Sequence, residues 1–159
     1  MFTASELFEL AVRVEENGER FYRDALKKTK PGLVKDLLVW LADQEVEHKN
    51  TFARIKEMVA GQTEQDPALM SLGRDVLVGA MGRHAFSLDE LEIDSIRDEE
   101  EILRAALVFE EDTLIFFDFI APFVSDRSIS AMLDTIKAEE RHHKQALLDK
   151  IAAIQRCPA

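Results

Sequence analysis

The sequence predicts an all-α protein, a four-helix bundle made of two antiparallel helix pairs joined by a long crossover. Its 159 residues include only six glycines and four prolines, and glutamate, leucine, alanine and lysine, which favour helices, are abundant. Four long segments carry apolar residues at intervals of three and four, the spacing of a helix that buries one face. The length suits one core, so we expect a single domain over residues 1–159.

Turn-forming residues separate the four helical segments. Ser5 is the predicted N-cap of the first helix, the run 29–32 (Thr-Lys-Pro-Gly) ends it, Gly61 ends the second, and Pro122 follows the third. Because the first connection is short, the first two helices should be antiparallel. The segment after Gly61 is less regular, and we expect its isolated His84 to lie at the surface rather than to bind a metal. The predicted helices cover residues 5–28, 33–60, 95–120 and 126–154, and the predicted crossover covers residues 61–94.

The formal net charge of −11 at pH 7 restricts the partners of the protein. Nucleic acids and anionic membranes attract clustered lysine and arginine, so we expect neither as a partner. No segment reaches the roughly 18 uninterrupted apolar residues of a membrane span, and the first residues do not resemble a secretion signal. We therefore expect a cytoplasmic protein. Cys157 is the one cysteine, so we expect a free thiol and no disulfide.

Two Glu-x-x-His motifs interrupt the apolar faces of the second and fourth helices. Glu45 and His48 share one face of the second helix with aliphatic and aromatic residues, and Glu140 and His143 do so in the fourth. Residues three apart in a helix point the same way, so both pairs should face the core. Two such motifs on two helices suggest one shared site.

The two halves of the chain repeat each other with an offset of 95 residues, which keeps the polar core residues in register. A duplication of this kind predicts a pseudo-two-fold axis through the shared site. It also adds one glutamate from the first helix and one from the third to the core residues. At this offset the aligned pairs include Glu15 with Glu110, Tyr22 with Phe117, Leu38 with Leu133, Glu45 with Glu140, and His48 with His143.

Four glutamates on inward faces require a compensating positive charge, because burying an ionised carboxylate is costly. No lysine or arginine occupies the predicted inward positions, so bound cations are the simplest compensation. Carboxylates and neutral imidazoles without thiolate suit iron or manganese, with zinc possible. In a helical bundle such residues can converge on two metal ions. The predicted metal ligands are Glu15, Glu45, His48, Glu110, Glu140 and His143.

The register of the ligands is chosen from the neighbours on each helical face. The alternatives, Glu16 in the first helix and Glu139 with His142 in the fourth, lie on more polar faces. Gln44 and Glu139 each precede a ligand glutamate and should lean toward the neighbouring helix, where each could accept the outer N–H of the opposite ligand histidine. Glu139 is the stronger candidate of the two, and a solvated side chain is the alternative for it.

These motifs resemble the ferritin-like superfamily and, within it, the rubrerythrin-type proteins, over nearly the whole chain. The resemblance implies a ferritin-like four-helix bundle with two iron ions as cofactor. The residues that carry it are the run from Glu15 to Tyr22, Glu45-x-x-His48, Glu110 and Glu140-x-x-His143. It further implies that Glu15, Glu45 and His48 serve mainly one iron, that Glu110, Glu140 and His143 serve the other, and that Glu45 and Glu140 bridge.

The resemblance also assigns Tyr22 to a position where its hydroxyl could hold a ligating carboxylate. Three departures from the rubrerythrin pattern accompany it. The second-half equivalent of Tyr22 is Phe117, and Thr113 stands where rubrerythrins carry an additional glutamate. The chain also lacks the cysteines of their separate iron domain. These departures weaken the expectation of peroxidase turnover by the rubrerythrin route.

The sequence thus predicts a di-iron carboxylate protein that reacts with O2 or H2O2, as a ferroxidase or a peroxidase, with an unknown electron donor. The alternative is a non-catalytic metal-binding protein for iron storage, delivery or sensing, or a bundle in which metal is structural. Trp40, Phe116 and Phe119 lie off the inward faces, which predicts cover by the crossover or by a second subunit. We therefore expect a homodimer.

Overall fold

The fold was analysed in a computed structural model that describes residues 3–61 and 93–157. These residues form four long α-helices and no strand, which confirms the predicted all-α bundle. The predicted crossover, with His84, lies almost wholly outside the described residues. The helices are α1 (Ala4–Lys28), α2 (Leu33–Val59), α3 (Glu99–Ile120) and α4 (Arg127–Arg156), and short 3-10 turns occupy Ile93–Ser95 and Ala121–Phe123.

Helices α1, α3 and α4 begin at a residue whose side chain caps them, whereas α2 begins after Gly32 without a side-chain cap. Two of the helix starts differ from the prediction. Thr3, not Ser5, is the N-cap of α1, because Thr3 and Glu6 form a reciprocal capping box in which each side chain accepts the other's backbone N–H. The third helix begins at Glu99 rather than near residue 95, since Asp98 accepts a hydrogen bond from the backbone of Glu101 at 2.8 Å. Each cap satisfies N–H groups that the first turn of a helix leaves free.

Helices α1 and α2 pack as one antiparallel hairpin and α3 and α4 as another, with further contacts of α1 with α3 and of α2 with α4. The buried apolar side chains form two separate clusters. In α1, α2 and α4 the candidate metal ligands lie between the residues of the two clusters, and in α3 Glu110 lies near the point where one cluster gives way to the other, so the core has a polar layer at its middle. One cluster includes Phe8, Phe52, Phe117 and Leu133, and the other includes Ala25, Leu38, Leu103 and Leu147.

The off-face aromatic residues differ in their surroundings. Phe116 is buried in the first apolar cluster, where its ring centroid lies 5.8 Å from that of Phe117. Phe119 is partly buried against the same cluster, and Trp40 is partly buried against the second. Among residues 3–61 and 93–157, no helix is both long enough and apolar enough to cross a membrane.

Candidate metal centre

The structure brings all six predicted metal ligands together in the polar layer of the core. Each of them is 2% exposed or less. Their donor atoms form two groups of four, and the atoms within each group lie within 4.8 Å of one another. Glu45 and Glu140 belong to both groups. The first group adds Glu15 and His48 to that pair, and the second adds Glu110 and His143.

Both histidines turn the same ring nitrogen toward the carboxylates. Nδ1 of His48 lies 2.8 Å from Oε1 of Glu140 and 3.6 Å from an oxygen of Glu15. Nδ1 of His143 lies 3.0 Å from Oε2 of Glu140. The two imidazole rings are nearly parallel, with centroids 5.4 Å apart. Each Nδ1 is therefore placed to donate a lone pair to a cation among the carboxylate oxygens.

The donor atoms are mostly left without hydrogen bonds, which is the pattern expected of a metal site. Both carboxylate oxygens of Glu15 and of Glu45 are buried and have no hydrogen-bond partner. Nδ1 of His48 is close to Oε1 of Glu140, but the two atoms are not aligned as a hydrogen bond. Buried polar atoms of a folded protein are normally satisfied. No lysine or arginine is buried anywhere in the described ranges. A pair of divalent cations fits this set of oxygen and nitrogen donors and would neutralise its charge.

The protonation of the metal-free site reflects crowding of carboxylates. Burial, with repulsion from neighbouring glutamates, raises the pKa of Glu15 and of Glu45 well above the ordinary value. Burial and the charge of Glu140 raise the pKa of Glu110 to about 8. Glu140 is the exception: burial opposes its ionisation, but the adjacent imidazoles of His143 and His48 hold its pKa below the ordinary value.

Burial acts on the pKa of the two histidines in the opposite direction, but the net shift of both is also upward. Burial alone lowers the pKa of His48, but the carboxylate of Glu140 outweighs it and raises that pKa to about 9. For His143, burial again lowers the pKa, while Glu110 and Glu140 raise it to about 10. Without metal, protons therefore take the place of the missing positive charge. Metal binding must displace them.

Tyr22 makes the two halves of the site unequal. Its hydroxyl donates a short hydrogen bond to Oε1 of Glu110, across the bundle from its own helix. Burial, with the charge of Glu110, raises the pKa of Tyr22 well above the ordinary value, so it remains a donor at neutral pH. Its repeat equivalent Phe117 has no hydroxyl, and both oxygens of Glu15 lack a partner. The carboxylate of Glu110 is thus held by a phenol, and the equivalent carboxylate of Glu15 is not.

Gly18 provides the space that Glu45 occupies. A β-carbon at Gly18 would lie 2.6 Å from Oε2 of Glu45 and 2.9 Å from a ring carbon of Phe109, closer than such atoms approach in proteins. Gly18 lies three residues after Glu15 on the same face of α1, a position at which glycine alone does not indicate this role. Comparison of the two halves could have indicated this role, because the equivalent residue in α3 is Thr113, so that only the first half has a glycine at this position.

The outer nitrogens of the two ligand histidines also differ. Nε2 of His48 donates a hydrogen bond to Oε2 of Glu139 at 2.9 Å. The corresponding contact of Gln44 with His143 is not formed, and Nε2 of His143 has no partner among the described residues. Instead, the ring of Trp40 stands edge-on to that of His143, with centroids 5.1 Å apart and planes at 84°.

A groove of about 410 Å³ lies outside His48, between α2 and α4. Gln44 and Glu139 both line it, as does Thr135, which is the repeat equivalent of Trp40. Beside His48, the small side chain of Thr135 leaves the groove open. At the equivalent place beside His143, the indole of Trp40 fills the space. The rejected alternatives Glu16 and His142 are exposed, in line with the chosen register.

Known proteins with a similar structure or sequence agree with this arrangement of helices. A crystal structure described as that of a ferritin-like diiron-carboxylate protein from Thermotoga maritima is similar to this chain, with a TM-score of 0.67 and 21% sequence identity. The similarity covers 99% of this chain and 97% of that one, and it supports the ferritin-like fold. The comparison with curated proteins gave no match. The rubrerythrin family model matches residues 6–151, and the chain belongs to the rubrerythrin family.

Proposed function

We propose that this protein is a di-iron carboxylate protein that reacts with hydrogen peroxide or dioxygen, with manganese or zinc as alternative metals. The observation that carries the proposal is the cluster of six buried donors, most of whose atoms lack hydrogen bonds. Residues 3–61 and 93–157 contain no buried lysine or arginine that could neutralise it. The carboxylate and imidazole set suits iron. Membership of the rubrerythrin family supports the same metal.

Two bound Fe(II) ions can supply two electrons to one oxidant, which with two protons converts hydrogen peroxide to two water molecules. The residues of this chain would hold and shield such a pair. Glu45 and Glu140, which belong to both donor groups, would contribute to both ions, while Glu15 and Glu110 would each hold one. Tyr22 fixes the carboxylate of Glu110. The apolar clusters on both sides of the polar layer exclude bulk water.

A non-catalytic role in iron storage, delivery or sensing is the second candidate. It is favoured by one feature of the sequence, the presence of a single cysteine, Cys157, which is exposed. One thiol cannot form the cysteine-ligated iron site that would relay electrons to the centre within this chain. Repeated turnover then depends on an external electron donor.

The test is metal analysis followed by oxidant consumption. Protein purified without added metal should contain iron, and anaerobic titration should saturate at two Fe(II) per chain. One equivalent of hydrogen peroxide should then oxidise both ions. With ascorbate as reductant, continued peroxide consumption identifies an enzyme, whereas one stoichiometric oxidation identifies the non-catalytic protein. Failure to bind any metal would contradict both candidates.

We also propose that the chain is one domain and forms a cytoplasmic homodimer through the outer face of α3. Val108 and Ile115 lie seven residues apart, on one helical face, with exposures of 56% and 48%. They are the exposed large apolar residues of α3, so we place the subunit contact on their face. Light scattering should give twice the mass of the chain, and Ile115→Glu should give the monomer. A monomeric wild type would contradict the dimer.

A further inference from the structure

The hydroxyl of Thr113 is buried and unpaired. Thr113 has no exposed surface, and its Oγ1 has no hydrogen-bond partner. Three other threonines, Thr29, Thr51 and Thr135, donate to the carbonyl four residues earlier, at 2.7, 3.0 and 3.0 Å. That local bond is the usual way to satisfy a threonine hydroxyl in a helix. Thr113 does not make it, so its hydroxyl is free for another partner.

The position of Thr113 places this hydroxyl at the polar layer. Thr113 follows Glu110 by three residues in α3, so the two side chains share a face. Its repeat equivalent is Gly18, where an added β-carbon would point at the carboxylate of Glu45. By the pseudo-two-fold relation, the side chain of Thr113 is directed at the carboxylate layer from the other half of the bundle.

A packing role alone does not account for this residue. Valine has nearly the same shape as threonine and would fill the same volume without a polar atom. A buried hydroxyl without a partner destabilises the folded protein, because its hydrogen bonds to water are lost and not replaced. The cost disappears when a ligand atom in the centre accepts from, or donates to, the hydroxyl. No protein atom in the described ranges does so.

We infer that the hydroxyl of Thr113 hydrogen-bonds a small exogenous ligand, such as hydrogen peroxide or an inorganic anion, held beside the metal pair. This inference rests on the proposed function, since the ligand needs the metal to bind. Thr113 is then a ligand-positioning residue on the α3 side of the centre. The Gly18 side cannot offer an equivalent group, because glycine has no side chain and Glu45 occupies that space.

Azide binding to the iron-loaded, oxidised protein tests this inference without measuring activity. Azide is a small anion that gives a characteristic absorption when it binds ferric iron, so its Kd can be titrated. Thr113→Val should bind the same amount of iron as the wild type but bind azide about tenfold more weakly, the loss of one hydrogen bond to a charged ligand. Thr113→Ser should keep the wild-type Kd. Thr135→Val is the matched control, because its hydroxyl is bonded to its own helix.

The possible results separate this inference from the proposed function. Equal azide affinity in Thr113→Val and the wild type, with iron fully bound in both, would overturn the inference and leave the di-iron assignment intact. Loss of iron from Thr113→Val but not from Thr113→Ser would also overturn it, because the hydroxyl would then support the metal ligands instead. A wild type that binds no iron would overturn both.

Discussion

Nε2 of His48 donates a 2.9 Å hydrogen bond to the carboxylate of Glu139, whereas Nε2 of His143 has no partner among the described residues. A carboxylate on the outer nitrogen fixes the ring and increases its basicity as a ligand. Tyr22, by contrast, donates to Glu110 and draws charge away from a ligand of the second group. The two donor groups are therefore inequivalent, and a metal ion held by the group of His48 should bind more tightly.

The first prediction follows from this difference between the two donor groups. Metal titration of the wild type should show two binding steps, and Glu139→Ala should weaken the tighter one by about 10- to 100-fold. Calorimetry with Fe(II) under anaerobic conditions measures both steps. The control is Glu47→Ala, an exposed glutamate that lines the same groove. Two unchanged steps in Glu139→Ala would show that its contact with His48 has no influence on the metal.

The second prediction concerns the shared ligand Glu45. Because Glu45 belongs to both donor groups, Glu45→Ala should abolish tight binding of both metal ions. Glu15→Ala removes a donor from one group only and should weaken mainly one ion. Metal content after dialysis measures the difference, with Glu16→Ala, on the exposed face, as control. Retention of two ions by Glu45→Ala would refute its bridging role.

The third prediction concerns the phenol. Tyr22→Phe removes the donor to Glu110 and leaves a buried carboxylate oxygen unpaired, which should lower the free energy of unfolding of the metal-free protein by about 1–3 kcal/mol. The ring and its packing are retained, so the loss reports the hydroxyl alone. Urea unfolding measures the change. An unchanged midpoint and slope would mean that the hydrogen bond contributes nothing in the metal-free protein.

The fourth prediction is the pH dependence of the metal-free protein. Glu15 and Glu45 have raised pKa values in the fold, and that of Glu110 rises to about 8 from the ordinary 4.5. The folded state therefore binds these protons more tightly than the unfolded state does. The stabilisation is complete below the unfolded pKa and is lost as the pH rises through the folded one.

His48 and His143 also have raised pKa values in the folded protein, so their contribution to stability is likewise lost as the pH rises through those values. The lowered pKa of Glu140 contributes the same amount to the free energy of unfolding at pH 5 and at pH 8.5, because this carboxylate is ionised in both the folded and the unfolded protein over that range. With a chelator present, the free energy of unfolding should be greater near pH 5 than near pH 8.5. Metal affinity should show the reverse trend, because metal displaces protons. Greater metal-free stability near pH 8.5 would contradict the assignment of these groups.

The fifth prediction concerns Gly18. In an unhindered helix, Gly→Ala stabilises by about 0.5–1 kcal/mol. Here the new methyl group must displace Glu45 and the ring of Phe109, so Gly18→Ala should destabilise the metal-free protein by about 1–3 kcal/mol and weaken metal binding. Thermal unfolding and metal titration measure the two effects. A more stable variant with intact metal binding would show that the space is not needed.

The fold and the convergence of the six candidate ligands in the core could be predicted because both depend on helical periodicity. Whether Glu15 or Glu16 faces the core is decided by the apolar residues three and four positions away, and such spacing is visible in the sequence. Helix starts were predicted less well. Thr3 caps α1 because Glu6 completes its capping box, a local pattern that outweighed Ser5.

The asymmetry of the site could not be predicted, because it depends on packing between helices. Gln44 and Glu139 occupy equivalent positions, yet only Glu139 contacts the opposite histidine. The difference comes from Trp40, whose indole lies against His143. Helical periodicity places a residue on a face, but it does not decide which of two neighbouring side chains reaches a given atom.

Each four-donor group takes three donors from one hairpin and the fourth from the other, through Glu140 or Glu45. A single hairpin therefore cannot complete either group. Because one chain contains both hairpins, their meeting is intramolecular and independent of protein concentration. The two hairpins also need not be identical, so one carries a glycine at position 18 and the other the hydroxyl of Thr113.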